Sequence, residues 1–329
     1  MKKTALESSK TSTAVATKKL TGWAADWILD GELQQLSPKT LSERRLIFEK
    51  LFWFFDREGF KTVEVAELKA FFHHLTSGHT DPAGRFGNPR LTKPLRPVSL
   101  KGWHTVLSAW FTWLQAEGYL ETSPMARIPK PQVREEIKPP LSDEQAAKLI
   151  EAARHSNNPN RDTAIALLLL DSGLRASELV GLKAGDLDLH NRSFKVTGKG
   201  NKIRHGYLGR QSTKALIRYL RREERQPGDF LFQAERGCYG GTGEPLRANG
   251  LRQLIERLAA RARIESQCSP HTLRRTFCVN FLRNGGNVFA AQGLMGHSRL
   301  DMTRKYCRLA ECDLEAQHRM YSPADRLRR

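Results

Sequence analysis

The sequence lacks the features that would place it in a membrane or in an oxidising compartment. Its longest purely apolar run, at 164–170, has seven residues, whereas a membrane-spanning helix needs about 18. Residues 1–19 are rich in Lys, Ser and Thr and contain no apolar segment, so they do not predict a secretory signal. Five cysteines at irregular spacing argue against a disulfide framework. These absences predict a cytoplasmic protein that does not bind membranes.

Acidic residues are scarce relative to basic ones. The 329 residues include 54 Lys and Arg but only 35 Asp and Glu, which gives a formal net charge of +19. Such an excess favours a polyanionic partner, most commonly nucleic acid, although a basic surface can also serve solubility alone. The sequence also contains no Gly-x-x-x-x-Gly-Lys-Ser/Thr run, which is the motif that predicts a site for a nucleoside triphosphate.

The length and the uneven composition predict two domains. All six tryptophans lie at or before Trp113, and all five cysteines lie at or after Cys238. Five prolines at 123–140 favour an extended linker. The predicted segments are a flexible basic N-terminus at 1–19, a helical unit at 20–122, the linker at 123–140, a second unit at 141–310 and a tail at 311–329.

The first unit shows helical spacing of its apolar residues. Helices are predicted at 20–29, from Ser37 to Gly59, at 65–75 and from Leu100 to Leu114, and four such helices can form a small bundle. The aromatic stripe of the last helix is typical of a core, with a base-stacking surface as the alternative. Four cations between the core positions could contact phosphate or be ordinary solvated charges: Lys39, Arg44, Arg45 and Lys101.

The second unit is predicted to be mostly helical with one small antiparallel sheet. Ser142 to Gln145 form a capping-box pattern, and a helix at 161–172 is expected to end at Gly173. The segments 194–196 and 203–208 flank Gly198-Lys199-Gly200-Asn201, which predicts a hairpin.

Several residues in this unit could together act on phosphate. They are Arg175 after the helix break, Lys199 at the hairpin tip, His271 with Arg274 three residues later, and His297 followed by Tyr306. Each is a weak signal alone, but together they fit phosphoryl transfer. Arginine binds phosphate oxygens bidentately, lysine or histidine can move protons, and tyrosine can attack to form a covalent intermediate.

The order and flanking words of these residues resemble the tyrosine recombinase, or phage integrase, family, and most closely its Xer-type members. The words are SGLRASEL at 172–179, GKGNK at 198–202, HTLRRTF at 271–277 and LMGHSRL at 294–300. The resemblance covers about residues 20–310. It implies a mainly α fold, with a four-helix (SAM-like) core-binding domain followed by a mostly helical α+β catalytic domain.

The resemblance also implies a role for each residue. Arg175 and Arg274 would hold the scissile phosphate, Tyr306 would attack it, Lys199 would protonate the departing 5′ oxygen, His271 would assist proton transfer and His297 would hydrogen-bond the phosphate. No ATP, metal or cofactor is expected. Glu178 is interpreted as support for Arg175, and Lys202 and Arg204 are expected to contact DNA from the hairpin.

The expected partner is double-stranded DNA, with a homo- or hetero-oligomeric dimer on each site and a tetramer in the synapse. The segment 310–320 is either a contact with a neighbouring protomer or a simple closing helix. A topoisomerase-like enzyme and a catalytically silent DNA-binding relative are the alternative functions. The biological role stays open between dimer resolution and integration or transposition of a mobile element.

Two features depart from the family pattern. Arg275 stands where members often have histidine, and residues 203–207 differ from the more usual acidic residue and Val-Pro. Cys268 and His271 form the only tight pair of potential zinc ligands, and buried reduced thiols are the ordinary interpretation of the cysteines.

Overall fold

The computed structural model describes residues 15–80, 83–133, 139–198, 203–234, 244–296, 318–320 and 322–326. The chain divides into two compact units, residues 1–136 and 137–329. Both are mostly helical with small antiparallel sheets, which confirms the predicted fold class. None of the helices described is long and apolar enough to cross a membrane.

The first unit contains the four helices that the apolar spacing predicts. The Ser37 hydroxyl accepts the Thr40 N–H at 3.2 Å, and Pro38, which has no N–H to satisfy, occupies the first turn. In chain order the helices are α1 (Thr17–Leu33), α2 (Pro38–Arg57), α3 (Val65–Thr76) and α4 (Pro97–Ala116).

The aromatic stripe of α4 lies in the core of this unit. Trp110 and Phe111 are at most 1 % exposed, and the ring of Phe48 packs edge-on against Trp110 at a centroid distance of 4.7 Å. Because these rings are covered by other side chains, they present no face on which a base could stack. The core interpretation of these residues is confirmed.

Two segments expected to lack regular structure are partly ordered into the first unit. Strand β1 (Val15–Ala16) pairs with β2 (Thr62–Val63), so α1 begins at Thr17 rather than after a flexible segment ending at residue 19. Pro124–Arg127 form a 3-10 helix instead of extended linker, because proline fits the first turn of a helix. Met125, 3 % exposed, joins the core of this unit.

The second unit begins with the predicted capping box. The Ser142 hydroxyl accepts the Gln145 N–H at 3.1 Å, and the Gln145 side chain accepts the Ser142 N–H at 3.0 Å. The helices are α5 (Asp143–Arg154), α6 (Pro159–Ser172), α7 (Ala176–Val180), α8 (Arg210–Leu220), α9 (Ala248–Arg261), α10 (Pro270–Arg283) and α11 (Val288–Met295).

The predicted hairpin forms, and a short strand extends it to three strands. They are β3 (Leu187–Asp188), β4 (Ser193–Thr197) and β5 (Ile203–Tyr207), all antiparallel. The register pairs Phe194 with Gly206 and Val196 with Arg204. Phe194 and Val196 are buried, so Gly206 and Arg204 share the inward face, because opposed residues project to the same side of a sheet. The hairpin tip at 199–202 lies outside the described residues.

Helix α6 lies at the centre of the second unit. Five of its apolar residues are completely buried, and they contribute to a core shared with α5, α8 and α9. A smaller apolar cluster joins α10 to α11. These apolar contacts fix the relative positions of α6, α10 and α11. The two predicted catalytic arginines lie on or next to these helices, Arg175 just after α6 and Arg274 on α10.

Candidate active site

The helix break at Gly173 determines the position of Arg175. Gly173 ends α6 at φ +59°, in the left-handed region that favours glycine. A Cβ at this position would lie 2.4 Å from Cδ1 of Phe277 on α10, so the ring of Phe277 packs directly on the glycine. Leu174 is fully buried, and Arg175, in extended conformation, caps α7. The backbone of Arg175 therefore lies where α6, α7 and α10 meet.

Glu178 on α7 provides the carboxylate around which the arginines gather. Its side chain is 3 % exposed. Oε2 accepts the backbone N–H of Arg175 at 2.8 Å, and Oε1 accepts Nη1 of the same residue at 2.7 Å. Oε2 also accepts Nη2 of Arg204 at 2.8 Å and lies 3.9 Å from Nη1 of Arg274. These contacts agree with the interpretation of Glu178 as a support.

The surrounding arginines keep Glu178 ionised. Burial by itself raises the pKa of this carboxyl, but the backbone N–H of Arg175, the charge and hydrogen bond of Arg204 and the side chain of Arg175 together lower its pKa below the ordinary value. An ionised carboxylate only accepts hydrogen bonds. Glu178 therefore orients guanidinium groups and leaves the cluster with two net positive charges.

Arg274 is the most deeply buried arginine of the cluster. It lies on α10 at 3 % exposure, where it donates Nη1 to the carbonyl of Gly173 at 2.5 Å and Nη2 to the carbonyl of Met295 at 2.6 Å. These bonds connect the end of α6 to the end of α11. The i, i+3 spacing that predicted Arg274 and His271 on one helix is confirmed, since both lie on α10.

The last turn of α11 is the second point on which arginines converge. Arg175 donates Nη2 to the carbonyl of Gly296 at 2.9 Å, and Arg204 donates Nη1 to the carbonyl of Leu294 at 2.5 Å. Together with Arg274, they satisfy three successive carbonyls. A helix C-terminus has partial negative charge, so cationic side chains stabilise this end. Gly296, at φ +62°, ends the helix and directly precedes His297.

His271 lies in the first turn of α10. Partial burial, followed by the positive charges of Arg275 and Arg274, lowers the pKa of its imidazole below the usual value. A neutral ring can accept a proton. Arg275, the departure from the family pattern, is itself 6 % exposed and thus acts on His271 from within the protein.

Four predicted site residues lie outside the described residues: Lys199, Lys202, His297 and Tyr306. Three of them, Lys199, Lys202 and His297, adjoin described elements that contact the arginines of this site. Strands β4 and β5 flank residues 199–202, and Gly296 precedes His297. The structure thus brings together Arg175, Arg274 and Glu178 and places the flanks of the hairpin tip beside them through Arg204.

The cations expected to contact DNA from the first unit differ in their surroundings. The guanidinium of Arg44 lies over the ring of Trp27 at 3.6 Å, and Arg45 is ion-paired with Glu32. Lys39 is 86 % exposed and lies 3.9 Å from a carboxylate oxygen of Glu43. Lys101 is half-buried on α4. Arg44 and Arg45 therefore have intramolecular partners.

A second basic surface lies in the connection between α3 and α4. Residues 83–101 include five cations and no acid. Arg90, Lys93 and Arg96 are exposed and line a groove of about 330 Å³ together with buried Arg85. No ion pair involves these four residues among the residues the structure describes. Sequence reasoning named none of these four residues, and the absence of acids at 83–101 was the available signal.

The two described cysteines are buried. Cys268 and Cys278 are at most 3 % exposed, and burial raises the pKa of Cys268 to about 11, so this thiol is protonated at neutral pH. Among the residues with described positions, no His, Cys, Asp and Glu side chains form a group that could hold a metal ion.

Comparison with known proteins gives a family match and related recombinases. The model of the phage integrase family matches residues 140–312. The tyrosine recombinase XerD of Listeria monocytogenes is 30% identical over 69% of this chain and 77% of its own. The tyrosine recombinase XerC of Corynebacterium glutamicum is 32% identical over 67% of this chain and 68% of its own.

Solved structures share the fold at lower sequence identity. The Tn1549 transposon integrase in complex with a circular intermediate DNA is 19% identical, with a TM-score of 0.67, over 88% of this chain and 94% of its own. XerH site-specific recombinase bound to palindromic difH substrate is 18% identical, with a TM-score of 0.63, over 94% of this chain and 85% of its own. Both likenesses concern the fold.

Proposed function

This chain belongs to the phage integrase family and is a tyrosine-type site-specific recombinase, and we propose that it cuts and rejoins duplex DNA through a covalent 3′-phosphotyrosine at Tyr306. One observation supports the proposal most directly. Arg175 and Arg274 converge on the end of α11, where Gly296 directly precedes His297. Two guanidiniums from different helices at one place form a site for a single phosphate.

The two arginines would hold the non-bridging oxygens of the scissile phosphate. Arg175 has 38 % of its side chain exposed, so an incoming phosphate can reach it. Charged phosphate oxygens are stronger acceptors than the backbone carbonyls that the arginines now contact. Preorganised donors also stabilise the additional negative charge that develops on phosphorus during attack.

The remaining steps are proton transfers around the attack. The Tyr306 hydroxyl oxygen forms a bond to phosphorus while the bond from phosphorus to the 5′ oxygen breaks. His271, whose pKa is lowered, is suited to receive the tyrosine proton, and Lys199 would give a proton to the departing 5′ oxygen. His297 would hydrogen-bond the phosphate. The new phosphotyrosyl ester conserves the energy of the broken phosphodiester bond, so rejoining requires neither ATP nor a metal ion.

Double-stranded DNA is the proposed partner. The net charge of +19 and the acid-free segment 83–101 provide phosphate contacts. The related integrase and XerH structures, solved on DNA, are consistent with this. We propose a dimer on each site, a tetramer in the synapse, and a role in the resolution of chromosome or plasmid dimers or in the integration or transposition of a mobile element.

Covalent capture tests the reaction and identifies the target sequence in one experiment. A pool of nicked duplexes with randomised arms is incubated with the full chain, and protein–DNA adducts that survive denaturation are recovered and sequenced. We expect a defined sequence from the wild type and no adduct from Tyr306→Phe, which should still shift the recovered duplex in a gel. Absence of any wild-type adduct would overturn the proposed function. Relaxation of single plasmids without recombinant junctions would indicate a topoisomerase instead.

A further inference from the structure

We infer that Arg204 is a positioning residue for strand cleavage. It attaches the hairpin that contains Lys199 to Glu178 and to the end of α11, and it does not contact DNA. The inference rests on the proposed function. It also replaces the expectation, based on sequence, that Arg204 contacts DNA from the hairpin.

The register of the hairpin turns Arg204 inward. Strand β5 places Arg204 and Gly206 on the buried face, while Ile203 and Tyr207 are 68 % and 63 % exposed. A Cβ at Gly206 would lie 2.0 Å from the Phe194 ring, so the phenyl group of Phe194 packs directly on the glycine backbone. This contact fixes the register, and the register fixes the side to which Arg204 projects.

Arg204 then connects three elements of the second unit. Nη2 contacts Oε2 of Glu178 on α7 at 2.8 Å, and Nη1 contacts the carbonyl of Leu294 on α11 at 2.5 Å. Its aliphatic stem packs on Gly296, where a Cβ would be 3.0 Å from Cδ. Since Arg204 belongs to β5, close to the hairpin tip, one side chain attaches this end of the hairpin to the helix that precedes His297.

The partners of Arg204 distinguish it from a phosphate ligand. Its side chain is 13 % exposed, compared with 38 % for Arg175. Arg274 is also buried, but its Nη atoms donate to neutral backbone carbonyls, whereas Nη2 of Arg204 is held by the Glu178 carboxylate. A phosphate gains less by displacing a charged acceptor than a neutral one, so Arg204 has less capacity to bind phosphate.

The charge of Arg204 has a further consequence for the site. Arg175 from α7, Arg274 from α10 and Arg204 from β5 face the Glu178 carboxylate. Without Arg204, the buried carboxylate would keep its hydrogen bond to Arg175 and its contact with Arg274 at 3.9 Å, but it would lose one of its hydrogen-bonded cations. Its negative charge would then be less well compensated, adjacent to the proposed position of the phosphate, and would repel the phosphate more strongly.

The test uses the full chain and the nicked duplex recovered by covalent capture. Single-turnover adduct formation is measured at saturating protein for Arg204→Gln, Arg204→Lys, Glu178→Gln and the Arg204→Gln/Glu178→Gln double variant. Lys195→Gln is the matched control, because Lys195 is an exposed cation of β4 in the same hairpin. DNA affinity is measured in a Tyr306→Phe background, and thermal unfolding identifies any variant that does not fold.

We expect Arg204→Gln to form adduct about 100-fold more slowly, the size of effect that a small misplacement of catalytic groups produces, and to bind DNA no more weakly than Lys195→Gln. Arg204→Lys should recover part of the rate, because lysine restores the charge but not both hydrogen bonds. Adding Glu178→Gln to Arg204→Gln should lower the rate by a smaller factor than Glu178→Gln does in the wild type, because it then removes a carboxylate that has already lost Arg204.

The pH dependence gives a readout that a purely structural role would not change. Loss of Arg204 raises the pKa of the Glu178 carboxyl, so acidification neutralises it more readily. The rate ratio of Arg204→Gln to wild type should therefore increase as pH falls, and the ratio for the double variant should not.

Three results would overturn the inference. They are a wild-type rate for folded Arg204→Gln, a rate defect wholly explained by weaker DNA binding, and strictly additive effects of Arg204→Gln and Glu178→Gln. Absence of an adduct from the wild type itself would instead contradict the proposed function. If Arg204→Gln does not fold, Arg204→Lys and the double variant decide by the same criteria.

Discussion

The Nη2 atom of Arg175 lies 2.9 Å from the carbonyl oxygen of Gly296, so the arginine that begins α7 contacts the residue that ends α11. Arg274 contacts the preceding carbonyl, that of Met295. The two arginines thus share one helix end, but they differ in burial, since Arg175 has 38 % and Arg274 only 4 % of its side chain exposed. This difference separates their contributions to catalysis and to stability.

Replacement of either arginine by methionine should abolish strand cleavage, with a loss of at least about 100-fold, as for removal of one donor to a developing charge. Stability should respond unequally. Arg274→Met leaves the buried carbonyls of Gly173 and Met295 without their donor, at a cost of about 1–3 kcal/mol, whereas water can replace Arg175 at its exposed side. Urea unfolding and adduct formation measure the two effects. Equal destabilisation by both substitutions would contradict the assignment.

Gly296→Ala should impair both stability and cleavage. The residue has φ +62°, which costs an L-residue about 1–2 kcal/mol, and its new Cβ would lie 3.0 Å from Cδ of Arg204. Gly293→Ala is a matched control on the same helix, because a Cβ there has no neighbour within 4 Å among the described residues and alanine favours the helix by up to about 1 kcal/mol. The two substitutions should therefore shift the melting temperature in opposite directions. A shift in the same direction would be inconsistent with the strained end of α11.

The Glu178 carboxylate should make folding sensitive to acid. Its pKa is lower in the folded protein than in the unfolded chain, so its contribution is fully present above the unfolded pKa, near 4.3–4.5, and is lost as pH falls through the folded value. Glu178→Gln should flatten this part of the dependence of unfolding free energy on pH. Unfolding in urea between about pH 5 and pH 3 measures it, with exposed Glu265 replaced by Gln as the comparison. An unchanged slope in Glu178→Gln would refute the linkage.

Helix ends, and the placement of His271 and Arg274 on one helix, were predictable from the sequence because each depends on local signals. The Ser142 capping box, the stop at Gly173 and the shared helix of His271 and Arg274 arise from residues within a few positions of each other. These features do not depend on distant contacts, and the structure confirms them.

The inward position of Arg204 was not predictable in the same way. Alternation along 203–207 suggests that the apolar Ile203 and Tyr207 face the core and that Arg204 faces solvent. The opposite holds, because Phe194 on the neighbouring strand occupies the space over Gly206. Similarly, the contacts of Arg204 with Glu178 and Leu294 span 26 and 90 residues, so only the tertiary fold brings them together.

The basic groove between α3 and α4 should contribute to DNA affinity without affecting the chemical step. Combined substitution of Arg90, Lys93 and Arg96 by glutamine removes three exposed cations. If each contacts one phosphate, the slope of log affinity against log salt should become shallower by about 2.7, since each phosphate contact contributes about 0.9. The cleavage rate of saturated complex should stay at the wild-type value.

The control for this experiment replaces three exposed cations that already have acidic partners, namely Lys148, Arg154 and Arg252, paired with Glu144, Glu151 and Glu256. Both triple variants lose three formal charges, so they have the same net charge. A general electrostatic effect would give equal slopes in the two variants, whereas direct phosphate contacts in the groove would change only the slope of the first. Equal slopes would exclude the groove as a phosphate-binding surface, and a slower cleavage rate at saturation would indicate that the groove also positions DNA for cleavage.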